Sequence, residues 1–132
     1  MRAETDLRKL LSGLSPELRP GRYVFALAEA GVPPGLAPVV TVAEREGLTL
    51  VVPGEDADAT GLPYDYVAAW ITLRVHSALD AVGLTAVVAQ ELAAAGLSCN
   101  VVAGFHHDHL FVPHERAAEA VALLEDLAER SA

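Results

Sequence analysis

Apolar and polar positions change period several times along the chain, and each change marks an element. Leu7, Leu10, Leu11 and Leu14 recur at helical spacing behind Thr5, an N-cap candidate, which predicts a short helix over 6–14. Ser15-Pro16 and Pro20-Gly21 then stop it. From 22 to 28 the pattern alternates, with Tyr23, Phe25 and Leu27 on one side and Val24 and Ala26 on the other, as a strand does. Three prolines and two glycines among residues 31–38 make a loop. Residues 39–44 and 48–52 read as strands of a hairpin turning at Glu46-Gly47. Gly54-Glu55-Asp56 opens a short helix over 54–60, its acids suited to the positive end of the dipole. Residues 64–69 read as a connection, so the chain divides into halves at 1–66 and 67–132.

The second half is more regular. Trp70 to Val75 alternates strictly, with Ile71, Leu73 and Val75 facing one way. After a loop at 76–81, Leu84, Val88, Leu92 and Ala95 give a helix over 82–95 that Gly96 ends. Residues 98–103 form a strand with Cys99, Val101 and Ala103 on one face, and 109–112 form a brief further strand. Ala117, Val121, Leu124 and Ala128 line one side of a helix over 115–130, leaving Glu119, Glu125, Asp126 and Glu129 wet. The order β-α-β-β-α, with its right-handed crossover and hairpin, specifies an α+β ferredoxin-like unit. Its sheet is of the antiparallel-type mixed kind, with helices on one face. The first half repeats the strand order with a degenerate first helix, although the residues do not repeat. Two such units in tandem are expected. Because the second half ends on its helix, a strand of the first, at 22–28, is expected to complete its sheet.

Composition narrows the function classes. Nine basic against 18 acidic residues give a net charge of −9. With 6 basic and 10 acidic residues in 1–69, and 3 and 8 in 70–132, the acidity is spread over both halves. Without a basic stripe the chain offers nothing to neutralise phosphates, so neither nucleic acid nor an anionic membrane is expected as a partner. Cys99 is the single cysteine, which leaves no intrachain disulfide and no Cys-x-x-Cys pair. The charged start MRAETDLRKLLSGL lacks the apolar run of a signal peptide, and no stretch reaches the ~20 apolar residues of a membrane span. A soluble, cytoplasmic protein is expected.

The segment from His76 to Gly104, HSALDAVGLTAVVAQELAAAGLSCNVVAG, resembles the ACT domain, the small regulatory module of aspartokinase and other enzymes of amino-acid metabolism. Gly83-Leu84 before the helix and Leu92-Ala93-Ala94-Ala95-Gly96-Leu97-Ser98-Cys99-Asn100-Val101 carry the likeness. Together with EGLTLVVP, WITLRVHS, VGLTAVV and HDHLFVP, they make the chain similar, from about Asp6 to Leu127, to short stand-alone bacterial ACT-domain proteins. The resemblance implies a non-catalytic regulatory protein without cofactor that forms a homodimer and binds a small molecule such as an amino acid. Carried over by position, the site comprises His76, Ser77, Val82, Gly83, Leu84 and Thr85 from the loop and helix start, with Ser98, Cys99 and Asn100 from the next strand. A helix start offers N–H groups and partial positive charge to a carboxylate, and a glycine allows close backbone approach. Family members often have Pro-Gly and an acid in this loop; here Val82 replaces the proline and Asp80 lies three positions before Gly83.

GFHHDHLFVP concentrates His106, His107, Asp108 and His109. A turn centred on His107-Asp108 would place His106 and His109 on adjacent strands, and a zinc site would need a further ligand from His76 or His114. A metal-dependent enzyme built on this cluster is therefore the rival reading, and an assembly module without ligand is the third. No phosphate loop, nucleophile elbow or His-Glu-x-x-His helix supports catalysis.

Overall fold

A computed structural model describes residues 4–132. Its elements are α1 (Leu7–Ser12), β1 (Pro16–Leu18), β2 (Tyr23–Ala28), β3 (Val40–Glu44), β4 (Gly47–Pro53), α2 (Gly54–Thr60), β5 (Tyr64–Leu73), α3 (Leu84–Ala94), β6 (Asn100–Ala103), β7 (Asp108–Pro113) and, after a single 3-10 turn at His114–Arg116, α4 (Ala117–Arg130). They gather into two compact units, Gly21–Ala68 and the chain up to Pro20 together with Ala69–Ala132.

In the unit Gly21–Ala68 the strands lie in the order β3-β4-β2 followed by the first half of β5, every registered pair antiparallel. The alternation read over 22–28 appears as a burial stripe: Val24, Ala26 and Ala28 are buried. Val24 and Ala28 pack with Leu50, Val52 and Ala57 in one cluster. The proline loop takes the place of a first helix, as the degenerate repeat predicts. Arg22 pairs with Asp58 at 3.0 Å, and the Tyr64 hydroxyl donates to the same carboxylate at 2.6 Å, tying α2 to β5.

The other unit arranges β1, the second half of β5, β7 and β6 in that order. Numbered within a ferredoxin-like unit this is fourth, first, third, second strand. Ile71 and Leu73 of β5, Leu110 and Val112 of β7, Leu10 and Leu11 of α1, Leu84, Val88 and Leu92 of α3, and Ala120, Leu124 and Leu127 of α4 close one hydrophobic core. The helices thus cover one face of the sheet.

Three expectations change. The strand completing this sheet does come from the N-terminal part, but it is β1, not the segment 22–28: Pro16 pairs with Leu73, Glu17 with Thr72 and Leu18 with Ile71. Three residues long and begun by Pro16, β1 is too brief to show a period, and proline is tolerated at the first position of a strand. Residues 64–68 are strand rather than connection, since Tyr23 pairs with Ala68 and Val24 with Val67. Finally, Asp6, not Thr5, caps α1, its carboxylate accepting from the Lys9 N–H at 3.2 Å.

Candidate ligand-binding site

The loop leaving β5 is clamped by the first described residue. The Glu4 N–H donates to the His76 carbonyl at 2.9 Å, and the Ala78 N–H returns a bond to the Glu4 carbonyl at 3.1 Å. The Ala81 N–H then bonds to the Ala78 carbonyl at 3.0 Å, turning the chain toward α3. Gly83 stands at the helix start with φ of 100°, a conformation that side chains with a Cβ rarely adopt, and a Cβ there would meet Leu7 Cδ2 at 3.2 Å. No side chain caps α3. Its first N–H groups, at Leu84 and Thr85, therefore have no acceptor within the helix.

Beside that helix start lies a hollow of about 70 Å³. Ser77, Ala78, Leu79 and Ala81 of the loop and Leu84 and Thr85 of α3 form one side; Ala103 at the end of β6 and Asp108 at the start of β7 form the other. Burial raises the Asp108 carboxyl above its ordinary pKa, while His109 and His107 pull it down. The hollow therefore joins a helix start, electropositive by its dipole, to a carboxylate side chain. A bound carboxylate suits the first and an ammonium the second.

The candidate residues divide in three. Ser77, Leu84 and Thr85 line the hollow, and Val82 and Gly83 immediately precede the lining helix residues, Val82 being 83% exposed. His76 turns its ring elsewhere, 5.2 Å from that of His106 and 6.3 Å from that of His107 between centroids. Ser98 and Asn100 are exposed, and Asn100 begins β6, three residues from Ala103 and hence about 10 Å along the strand from the hollow. Cys99 is packed against the core, and burial pushes its thiol up to about 11, which leaves it protonated and unreactive.

Asp108 was attached by sequence to the histidine cluster, and its place in the hollow follows from where the hairpin turns. The Gly104 N–H donates to the His107 carbonyl at 2.8 Å, so Phe105-His106 form the corner and Asp108 opens β7. The turn expected at His107-Asp108 is thus displaced toward the N-terminus. One signal was available in sequence: Asp108 is the only acid in GFHHDHLFVP and stands two positions before the apolar run Leu110-Phe111-Val112.

The displacement also separates the histidines. His109 is held between two side chains of β5: Trp70 Nε1 donates to its Nδ1 at 3.1 Å, and Thr72 Oγ1 lies 3.1 Å from the same nitrogen. Because an indole N–H only donates, Nδ1 is the acceptor and the ring proton sits on Nε2. Burial, with His107 and Arg19 nearby, lowers the pKa of His109. Arg19 lies over the Trp70 ring, 4.2 Å from its centroid, and completes this network. His106 to His109 accordingly do not form one constellation. Among the described residues, no group of three or more His, Cys, Asp or Glu side chains is placed to hold a metal ion.

Comparison with known proteins agrees with this architecture. Two family models described as ACT domain match residues 2–69 and 66–126. A solved structure from Vibrio cholerae, of a protein of unknown function described as a possible transport protein, is 45% identical with a TM-score of 0.84, over 92% of this chain and 95% of that one. A protein from Agrobacterium tumefaciens is 22% identical with a TM-score of 0.71, over 86% and 87% of the two chains. The ligand-free regulatory subunit of aspartate kinase from Thermus thermophilus has 12% identity and a TM-score of 0.64, over 87% and 97%. The latter two share the fold. No match is found among curated proteins.

Proposed function

The chain belongs to the ACT-domain family, and from that premise we propose that it is a non-catalytic regulatory protein that binds an amino acid at the start of α3. The observation carrying this reading is the hollow itself, with uncapped helix N–H groups at one side and Asp108 at the other. An α-carboxylate would lie against Leu84 and Thr85, and the α-ammonium against Asp108. With about 30 Å³ for each water in the liquid, 70 Å³ has the volume of roughly two waters. The hollow accordingly takes the charged head group, while the ligand's side chain extends past exposed Val82 or the loop 77–81 opens.

In this reading the two ACT-like halves are 1–66 and 67–132, and the protein acts as a cytoplasmic homodimer. His76, Ser77, Val82, Gly83, Leu84 and Thr85 form the near wall or its rim. Ser98 and Asn100, at the far end of β6, reach such a site only from a second copy.

Thermal unfolding in the presence of each of the twenty amino acids tests it. A ligand at a hundred times its Kd adds about 2.7 kcal/mol, a shift of several degrees in Tm. Stabilisation by one amino acid or a related few is expected, and Asp108→Asn should abolish it. If none of the twenty stabilises the protein, the amino-acid reading is abandoned. The assembly-module reading draws on exposed Leu79, Val82 and Phe105. It would be favoured by a failed screen together with stable dimers of ligand-free protein in sedimentation.

A further inference from the structure

We propose that the ligand of the hollow is an amino acid with a large apolar side chain, of the leucine, methionine or phenylalanine kind. The inference rests on the amino-acid reading and adds to it the class of side chain. Volume decides where that side chain lies. With the loop as it stands, about 70 Å³ holds the charged head group alone, so the rest of the ligand extends over the rim. Each segment that builds the hollow leaves one large apolar side chain in water there. Leu79 of the loop lines the hollow and is 66% exposed. Val82, two positions before the lining residue Leu84, is 83% exposed. Phe105, two positions after the lining residue Ala103, is 78% exposed. Among the described residues these are the three most exposed large apolar side chains, the next being Val42 at 49%. A single exposed apolar residue is ordinary, but three on the segments around one hollow form a surface that gains from being covered.

Charge points the same way. Asp108 is the single ionisable side chain in the lining, and the α-ammonium takes it. A second charge, on a basic or acidic ligand side chain, finds no counter-charge in the lining. It stays in water and adds nothing to what the head group gains. Asp80 is exposed and outside the lining, as are the rings of His76, His106 and His107, which face one another. The Ser77 hydroxyl already donates to the Ala78 carbonyl at 3.3 Å, which leaves Thr85 as the lining's other polar side chain. An apolar ligand side chain needs no such partner. Laid against Leu79, it takes apolar surface of both out of water, and binding tightens with each carbon so covered.

The test is calorimetric titration of the full chain with leucine, methionine, phenylalanine, alanine, lysine and glutamate in turn, six ligands that share one head group. At least one of the first three is expected to bind about tenfold more tightly than alanine, a ratio that the burial of two further methylene groups supplies. Lysine and glutamate should bind no better than alanine. Leu79→Ser should weaken the preferred ligand by about three- to tenfold and leave alanine unchanged, whereas Val42→Ser, on exposed β3, should alter neither. Both substitutions replace exposed side chains, and circular dichroism reports the fold. Tighter binding of lysine or glutamate than of the three apolar amino acids, or equal affinity for all six, would overturn the inference while leaving the amino-acid reading in place. So would an unchanged affinity for the preferred ligand in Leu79→Ser. If leucine, methionine and phenylalanine all fail to bind, the inference falls, and the screen of twenty decides the amino-acid reading separately.

Discussion

Gly104 occupies a position with no room for a side chain. A Cβ built there would approach the His107 carbonyl oxygen to 2.8 Å and His109 Nε2 to 3.1 Å. The first neighbour is backbone of the same tight turn, and the second is a ring fixed by Trp70 and Thr72. Gly104→Ala is expected to destabilise the protein by about 1–3 kcal/mol, measured by urea unfolding, because the hairpin must shift to admit the methyl group. The same network predicts acid sensitivity. Burial lowers the pKa of His109 below its ordinary 6.5, so on acidification the unfolded chain takes up this proton first. Its contribution to stability is therefore present above that pH and falls away between it and the lowered native value. Asp108, raised from 3.8, works in the opposite sense: the native state takes up the proton first, and acidification through the raised pKa adds stability. His109→Gln keeps an acceptor for the Trp70 indole and cannot be charged. Urea midpoints compared at neutral and mildly acidic pH should show a smaller loss in this variant than in the parent.

At the scale of elements, the N-terminal segment does more than its length suggests. Leu10 and Leu14 are fully buried in the core closed by β5, α3, β7 and α4, and Leu7 packs toward Gly83. Glu4 adds two backbone hydrogen bonds to the loop that lines the hollow. Deleting residues through Thr5 removes both while leaving Asp6 to cap α1. At about 1 kcal/mol for each bond, amide exchange at Ala78 should accelerate by about tenfold or more, with exchange in β4 unchanged. Unchanged exchange at Ala78 would mean that the loop is held by its own turn.

At the scale of the whole molecule, sequence halves and packing units divide the chain differently. The family models meet at residues 66–69, whereas the segment ending at Pro20 packs with Ala69–Ala132. The pairing of β1 with β5 shows how that unit closes. Leu18 pairs with Ile71, and the Arg19 N–H bonds to the Trp70 carbonyl at 2.8 Å, so the register leads Pro20 toward Ala69. Replacing residues 21–68 by a two-residue Asn-Gly turn should yield a shortened chain that folds with a cooperative thermal transition. Residues 67–132 alone should not fold. They lack β1 and the buried Leu10, Leu11 and Leu14, each worth about 1.5–3 kcal/mol against a typical domain stability of about 5–15 kcal/mol. Circular dichroism on the two fragments checks both outcomes.

Sequence alone determined what local periodicity encodes. Alternation at 22–28 and 70–73 identified strands, helical spacing identified α3 and α4, and element order identified the ferredoxin-like class, while the structure decided which strand faces are buried. It also located the helix start at Gly83, where Leu84 and Thr85 border the hollow. Tertiary structure decided the long-range pairings: β1 against β5, residues 64–68 against β2, Glu4 against the loop at 76–78. These rest on backbone hydrogen bonds, which any residue but proline can donate and which therefore leave little side-chain pattern to read. The sorting of the histidine-rich segment depended on them too. A turn at Phe105-His106 instead of His107-Asp108 sends Asp108 to the hollow, His109 to Trp70, and His106 and His107 to His76. Composition could show that these side chains were present, but only the register of the hairpin determines which of them meet.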